Sequence, residues 1–180
     1  MSEAAILARI ERLEAESAIR HLVAHYFRIC DRLGPDTEFE TLGDLFTADA
    51  RWEGKGRYAE AFGSHDGRAA IVAMIRSYCL PQPHFAMTAH FFSAEDITVW
   101  GETATGNWMM LQTSTYREGH ADLRSASLSM SFAREGERWR IRHFRTENIF
   151  SRRVDRWSDT QAIPVPNGHH PEPIDETNRL

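Results

Sequence analysis

The stretch His25-Tyr26-Phe27-Arg28-Ile29-Cys30-Asp31 lies near the end of a pattern typical of one long amphipathic helix. The pattern runs from Ala4 to about Leu33, and Gly34-Pro35 then supplies a C-cap glycine followed by a helix breaker. Its apolar residues fall on one helical stripe: Ile19, Leu22, Val23, Tyr26, Cys30 and Leu33. Tyr26 lies near the middle of this stripe and Asp31 at its edge. A phenol and a carboxylate therefore point toward whatever the helix covers.

Two shorter helices and a strand are predicted after this helix. A capping box at Thr37 predicts the start of the second helix, and residues 50–53 resemble a short strand. Residues 54–64 contain three glycines without any period, which predicts a loop that acts as a lid. Asp66 is predicted to cap a third helix over residues 67–79.

From Phe85 onward the apolar period changes to two, which is typical of β-strands. Four strands are predicted, with glycine-containing turns at nearly even spacing, at about 85–99, 103–116, 122–134 and 138–150. Helices followed by a long meander predict an α+β fold, with N-terminal helices packed on a strongly curved antiparallel sheet. This arrangement forms a cone with an internal pocket. We expect a single domain over residues 1–157 and a proline-containing C-terminal tail over 158–180.

Composition limits the classes of partner. The chain has 180 residues and a formal net charge of −5, which argues against binding to nucleic acid or anionic membranes. It lacks an apolar run of membrane-spanning length, and its two cysteines are expected to be buried free thiols, as is usual in a reducing cytoplasm. The open outer face of a long meander predicts a homodimer or homotrimer.

The residues that face the predicted pocket follow from strand alternation. In the last strand, Trp139 and Ile141 are expected to point inward, and the same parity carries His143 and Arg145 to the inner face. The side chains expected to shape the pocket and bind a small hydrophobic ligand are Trp52, Phe92, Gln112, His143 and Arg145.

His90 is the candidate catalytic base. A neutral imidazole can take a proton from a carbon next to a carbonyl and return it to a leaving hydroxyl. Asp31 is a candidate to orient its other ring nitrogen, and Tyr26 to polarise a substrate oxygen. Taken singly, each is more often a structural residue, and spacing alone does not pair them. Metal-binding spacing is absent, and neither a metal nor another cofactor is expected.

Several motifs together carry a family resemblance. They include Leu45-Phe46-Thr47-Ala48-Asp49-Ala50-Arg51-Trp52, Gly67-Arg68-Ala69-Ala70-Ile71 and Trp139-Arg140-Ile141-Arg142-His143, beside the helix segment and His90 described above. With them, about residues 15–150 resemble the SnoaL-like branch of the nuclear transport factor two-like superfamily, which has a cystatin-like fold. Within this branch, the chain is most similar to the bile acid 7α-dehydratases and, more distantly, to the scytalone dehydratases.

The resemblance implies a His90–Asp31 dyad, with Tyr26 on the substrate oxygen, that removes water from a vinylogous β-hydroxy carbonyl. It also implies an aspartate at the position of Gln112, whose amide cannot protonate a leaving hydroxyl. The first hypothesis is therefore a cofactor-independent lyase (dehydratase) or isomerase acting on a hydrophobic cyclic hydroxy-ketone such as a steroid or polyketide. The alternatives are a non-catalytic ligand-binding or dimerisation module, and a β-subunit of a ring-hydroxylating oxygenase.

Overall fold

Four helices and six strands make up the described part of the chain. A computed structural model of the chain describes residues 2–155 and Trp157, so the predicted tail over 158–180 lies outside the described residues. The helices are α1 (Glu3–Cys30), α2 (Phe39–Gly43), α3 (Tyr58–Phe62) and α4 (Arg68–Ser77). The strands are β1 (Phe46–Lys55), β2 (Ser64–Asp66), β3 (Phe85–Trp100), β4 (Thr103–Tyr116), β5 (Ala121–Glu135) and β6 (Arg138–Val154).

The opening helix agrees with its sequence pattern. The Ser2 side chain caps α1 by accepting a hydrogen bond from the backbone N–H of Ala5 at 3.3 Å. The helix ends at Cys30, and Asp31 is its C-cap residue, with its N–H donating to the carbonyl of Phe27 at 2.8 Å. The buried side chains of α1 lie in its second half and comprise Ile19, Leu22, Val23, Tyr26 and Phe27. Only this half of the helix therefore covers the sheet.

The strands form one sheet in the order β2-β1-β6-β5-β4-β3. Strands β3 to β6 pair antiparallel as the predicted meander, with tight turns between them. β1 is longer than predicted and pairs parallel with β6 and antiparallel with β2, so the sheet is mixed but mostly antiparallel. Helices packed on one face of this sheet confirm the predicted α+β cone.

Bulges bend the long strands. In β3 the register shifts between Ser93 and Asp96, where Ala94 adopts a positive φ of 51°. In β6 one extra residue is inserted at Arg142 and another at Ile149, relative to β5. A bulge kinks its strand and increases the local twist, so these three positions curve the sheet around the space below α1.

The segment predicted as a lid is structured. It forms the last two residues of β1, the short helix α3 and the first residue of β2. Gly54 permits this arrangement, because a Cβ there would lie 2.2 Å from the carbonyl oxygen of Tyr58. The prediction of an irregular loop is therefore wrong. A five-residue helix is too short to show a helical period in the sequence.

Two predicted helix caps are also wrong. The N-cap of α2 is Glu38 rather than Thr37, whose hydroxyl instead accepts the N–H of Gly34 at 2.9 Å. The N-cap of α4 is Gly67, with a φ of 86°, and it has no side-chain cap. Asp66 belongs to β2 and forms an ion pair with Arg51 at 2.7 Å. Both side chains found local partners that compete with capping.

The core lies between the helices and the concave face of the sheet. Its most deeply buried large side chains are Ile19, Leu42, Phe46, Ile71, Leu128, Phe132 and Ile141. Each such side chain stabilises the fold by about 1.5–3 kcal/mol through burial alone. α1 contacts both β3 and β6 across the concave face, and this contact positions the site described next.

Candidate active site

A cavity of about 140 Å³ lies under the C-terminal half of α1, between α3, α4 and the concave face of the sheet. Its wall is mostly apolar and aromatic, and includes Phe27, Leu33, Phe62, Met74, Ile75, Phe85, Met110, Leu128 and Phe144. The wall also carries polar side chains, which come from both helices and strands. An apolar chamber with a few convergent polar groups is the usual composition of a small-molecule site.

His90 and Asp31 meet at the edge of this cavity. The imidazole Nδ1 of His90 lies 2.6 Å from Asp31 Oδ1, and the backbone N–H of His90 donates to Asp31 Oδ2 at 3.4 Å. The two side chains are 11% and 26% exposed, so both are shielded from bulk water. The C-cap position of α1 and the register of β3 therefore bring together two residues that lie 59 positions apart in the sequence.

This contact determines how the imidazole can act. A carboxylate accepts but cannot donate, so in the neutral ring Nδ1 carries the proton and Nε2 keeps its lone pair. Among the described residues, Nε2 has no hydrogen-bond partner, and His90 lines the cavity. Phe27 holds the ring from the side, with a centroid separation of 4.9 Å. The lone pair of Nε2 is therefore available to a ligand.

Tyr26 is a second polar group on the cavity wall. Its hydroxyl accepts a hydrogen bond from Nε1 of Trp52 at 3.2 Å, and its ring packs edge-on against Phe46. Only 4% of Tyr26 is exposed. Burial raises the pKa of this phenol well above its ordinary value, although the Trp52 hydrogen bond opposes the shift. Tyr26 is therefore a neutral hydrogen-bond donor at any physiological pH.

Cys30 lies one helical turn beyond Tyr26 and also lines the cavity. Burial raises the pKa of its thiol to about 12, and the hydrogen bond with Tyr26 opposes this shift while the charge of Asp31 adds to it. Both cysteines are free, as predicted. Since only a thiolate is strongly nucleophilic, Cys30 acts as a small apolar wall residue.

Gln112 is buried and lines the cavity beside Thr88. Its side-chain nitrogen donates to the Ser114 hydroxyl at 2.9 Å and to the Thr88 hydroxyl at 3.4 Å. The amide oxygen of Gln112 has no hydrogen-bond partner among the described residues. The amide is thus held by two hydroxyls and supplies hydrogen bonds without supplying a proton.

Arg124 is a cavity residue that the sequence analysis missed. Its Nε donates to Asp122 Oδ2 at 2.6 Å, and its Nη2 contacts both the same oxygen and the Tyr116 hydroxyl. Burial raises the pKa of Tyr116 to about 12, Arg124 opposes this shift, and Asp122 adds to it. A signal was available in the sequence, because Arg124 shares the parity of the buried β5 residues Ala126, Leu128, Met130 and Phe132.

Two other predicted pocket residues have different positions. Trp52 lines the cavity, and its ring stacks on Phe144 at an interplanar angle of 5°. Phe92 does not line the cavity, although it has the predicted parity. It packs instead against Phe27 in the core, at a centroid separation of 4.4 Å.

His143 and Arg145 lie on the opposite face of the sheet, so their predicted place in the pocket is wrong. The bulge at Arg142 reverses the parity of β6, and Phe144 and Thr146 face the cavity instead. His143 Nε2 and Arg145 Nε lie 3.1 Å and 2.8 Å from Oε1 of Glu53. They surround this buried carboxylate in an ionic cluster on the far face of the sheet, and their own side chains are partly exposed.

The geometry supports acid–base chemistry in an apolar chamber. It offers an oriented imidazole, a neutral phenol, an amide and a guanidinium. Among residues 2–155, no group of three or more His, Cys, Asp or Glu side chains is arranged to hold a metal ion. In the same part of the chain, no helix has the length and apolar character needed to cross a membrane.

Comparison with known families gives one match over most of the chain. The model of the SnoaL-like domain family matches residues 11–145, which include Tyr26, Asp31, His90 and Gln112. No curated protein sequence matches the chain.

Solved structures with the same fold include three of similar size. An NTF2-like protein with a cystatin-like fold from Novosphingobium aromaticivorans is 24% identical, with a TM-score of 0.65, covering 82% of this chain and 90% of that one. Hexachlorocyclohexane dehydrochlorinase LinA-type3 from Novosphingobium barchaimii is 16% identical, with a TM-score of 0.68 and coverage of 88% and 99%. A protein provisionally assigned as a scytalone dehydratase, from N. aromaticivorans, is 16% identical, with a TM-score of 0.66 and coverage of 82% and 91%.

Proposed function

Because the chain belongs to the SnoaL-like family, we propose that it is a cofactor-independent lyase that removes water from a small, hydrophobic, cyclic hydroxy-ketone. The observation that carries the proposal is the His90–Asp31 hydrogen bond of 2.6 Å at the cavity wall, with Nε2 left for substrate. Two of the structural neighbours are named for eliminations, a dehydrochlorination and a dehydration. Their structural similarity to this chain concerns the fold alone. Both named reactions are eliminations, which is the reaction class that we propose for this chain.

His90 is the proposed catalytic base. Nε2 takes a proton from the carbon next to the substrate carbonyl, and the electron pair of that C–H bond moves toward the carbonyl oxygen. The ring becomes an imidazolium, and the carboxylate of Asp31 stabilises its charge across the 2.6 Å contact. In a chamber shielded from water, this charge pairing is stronger than it would be in solvent.

Tyr26 is the proposed partner of the carbonyl oxygen. Its hydroxyl accepts the N–H of Trp52 and also hydrogen-bonds Cys30, whose sulfur is a weak acceptor that a substrate oxygen can replace. A phenol kept neutral by burial stabilises the negative charge that develops on the enolate oxygen. The Trp52 hydrogen bond fixes the oxygen in place, so the donor needs no reorganisation during the reaction.

The proton returns to the leaving group through His90. When the enolate electron pair forms the new double bond, the C–O bond breaks and the departing hydroxide takes the proton from Nε2. Water leaves and the neutral imidazole is restored, so the cycle is balanced. Gln112 lies where the family resemblance implies an acid, and its role in this scheme is to hydrogen-bond the substrate.

Cavity size limits the substrate. A cavity of about 140 Å³ is close to the roughly 150 Å³ that accommodates a benzene ring in a well-studied engineered cavity. One substituted ring therefore fits more readily than the four fused rings of a steroid. We favour a single-ring substrate among the classes that the sequence suggested.

Dehydration of defined compounds tests the proposal. Purified protein is mixed with 3-hydroxycyclohexanone, and formation of 2-cyclohexenone is followed by its ultraviolet absorbance. A bicyclic and a steroidal β-hydroxy ketone are assayed in parallel. We expect turnover that is fastest for the single ring and that is lost in His90→Ala but kept in His21→Ala, an exposed histidine on α1. Binding of these ketones without turnover would favour the non-catalytic module instead.

A further inference from the structure

Three polar residues form a row across the concave face of the sheet. His90 of β3 pairs with Gln112 of β4, and Gln112 pairs with Arg124 of β5. Neighbouring strands are about 5 Å apart, so the Cα atoms of His90 and Arg124 are separated by roughly 10 Å. All three side chains line the cavity. A molecule in contact with the His90 imidazole therefore extends along Gln112 toward a guanidinium.

The Arg124 side chain is held in one orientation. Asp122 binds its Nε and Nη2, and the Tyr116 hydroxyl contacts Nη2 as well. Nη1 has no partner among the described residues. A guanidinium fixed on one edge presents its other edge with little loss of side-chain entropy on binding. This free edge is a preformed donor for an anionic oxygen.

A second cleft meets the cavity at Arg124. Tyr58 and Arg124 line both spaces, and the cleft is also lined by Arg57, Arg152 and Arg153. These three arginines are exposed, and none of them forms an ion pair within the part of the chain that the structure describes. Asp122 is the one carboxylate among the residues that line the cleft, and it already neutralises Arg124. The cleft therefore carries a local excess of positive charge in a chain whose net charge is −5.

We infer that the substrate is a cyclic hydroxy-keto acid, whose carboxylate enters through the arginine-lined cleft and binds Arg124 while its ring lies against His90. This inference rests on the proposed function, because it names the substrate class of the same site. A carboxylate fits because a single guanidinium edge at the end of an apolar chamber pairs with one planar, singly charged group. The exposed arginines raise the local concentration of anions and so speed association.

A pair of nearly isosteric ligands tests the inference. The dissociation constants of 3-oxocyclohexanecarboxylate and 3-oxocyclohexanecarboxamide are measured by isothermal titration calorimetry at low salt. We expect the acid to bind at least about ten-fold more tightly than the amide, as is usual for a charge-assisted hydrogen bond. Equal affinities for the acid and the amide would overturn the inference.

Variants locate the anion site. Arg124→Met combined with Asp122→Asn removes both charges together, and we expect it to abolish the preference for the acid. Arg134→Met, on the exposed end of the same strand, is the matched control and keeps the preference. Retention of the preference in the double variant would also overturn the inference. If that variant does not fold, the double variant Arg57→Gln with Arg153→Gln is tested instead. We expect it to bind the acid more weakly than wild type does, with a difference that shrinks as the salt concentration rises. An unchanged affinity for the acid would contradict the inference.

The two proposals fail separately. His90→Ala is expected to keep the preference for the acid over the amide, because Arg124 is intact. If the wild-type protein prefers the acid over the amide but dehydrates none of the hydroxy-ketones, the proposed lyase activity is refuted and the anion site is supported. Dehydration of neutral 3-hydroxycyclohexanone without any acid preference would refute the anion site alone.

Discussion

The Asp31 carboxylate holds His90 at two points, with Oδ1 at 2.6 Å from the ring Nδ1 and Oδ2 at 3.4 Å from the backbone N–H. Asp31 is the C-cap residue of α1, and His90 lies in the middle of β3. One carboxylate thus joins the covering helix to the sheet and also selects the imidazole tautomer. Structure and chemistry depend on the same contact.

Asp31→Asn tests this contact. The amide keeps the shape of the side chain but cannot stabilise an imidazolium and is free to favour the other tautomer. We expect kcat for dehydration to fall by roughly 10²–10⁴-fold, as for comparable acid–base groups. Asp36→Asn, an exposed acid in the turn after α1, serves as the control. A wild-type rate in a folded Asp31→Asn protein would show that the carboxylate has no part in the reaction.

Tyr26→Phe removes the proposed carbonyl partner. The expected rate loss is about 10²-fold, which is typical for one oxyanion donor. The change also leaves the buried N–H of Trp52 unpaired, at a cost in unfolding free energy of about 1–3 kcal/mol. Trp52→Phe breaks the same hydrogen bond but keeps the phenol, so its rate should exceed that of Tyr26→Phe. The reverse order of rates would exclude Tyr26 as the donor.

Stability should fall at high pH because of Cys30 and Tyr26. Both folded-state pKa values are raised, that of Cys30 to about 12, so the unfolded chain releases these protons first as the pH rises. The stabilisation from Cys30 is complete below its ordinary pKa of 9.0 and is lost between pH 9 and about 12. Urea unfolding at pH 8 and pH 10.5 measures the loss. In Cys30→Ala the decrease should be smaller, and an unchanged decrease would contradict this assignment.

Glu53 should control stability at low pH. Burial alone raises the pKa of this carboxyl, but hydrogen bonds from Arg145 and Arg51 and the charge of Lys55 together lower it to about 2. Because the folded pKa is depressed, the stabilisation is complete above the ordinary value of 4.5 and is lost as the pH falls toward 2.

Glu53→Gln removes this acid-sensitive contribution. We expect the unfolding free energy at pH 7 to fall by about 1–3 kcal/mol, because the partner arginines are partly exposed and stay hydrated when the carboxylate is removed. We also expect its dependence on pH between 5 and 2 to flatten. Glu60→Gln, an exposed glutamate of α3, should change neither quantity. Equal acid sensitivity in Glu53→Gln and wild type would show that the cluster around Glu53 does not set the acid limit.

Long periodic elements were predictable from the sequence, and local irregularities were not. The helix period identified α1 and its buried stripe, and the period of two identified the strands β3 to β6. The period alone left both faces of the strand bearing His90 open, and the structure places His90 and Gln112 on the concave face. The bulge at Arg142 has no sequence signature, and one inserted residue moved His143 and Arg145 to the other face. The short helix α3 was missed because five residues do not show a period.

The contact between Asp31 and His90 could not be predicted from the sequence. Strand parity and the helical stripe indicate which residues can share a face of an element. The distance between the two side chains depends on how α1 crosses β3 in the folded chain. Arg124 shares the inward parity of β5, but a charged side chain does not contribute to the apolar period by which core-facing positions are predicted. The homodimer or homotrimer and the cytoplasmic location stay predictions, and ultracentrifugation and cell fractionation test them.

Proton exchange at the substrate carbon tests whether His90 is a base acting inside the cavity. Cyclohexanone is incubated with the protein in heavy water, and loss of its α-proton signals is followed by NMR. We predict exchange well above the buffer rate with wild-type and His21→Ala protein, and exchange at the buffer rate with folded His90→Ala. Equal exchange in wild type and His90→Ala would show that His90 is not the base.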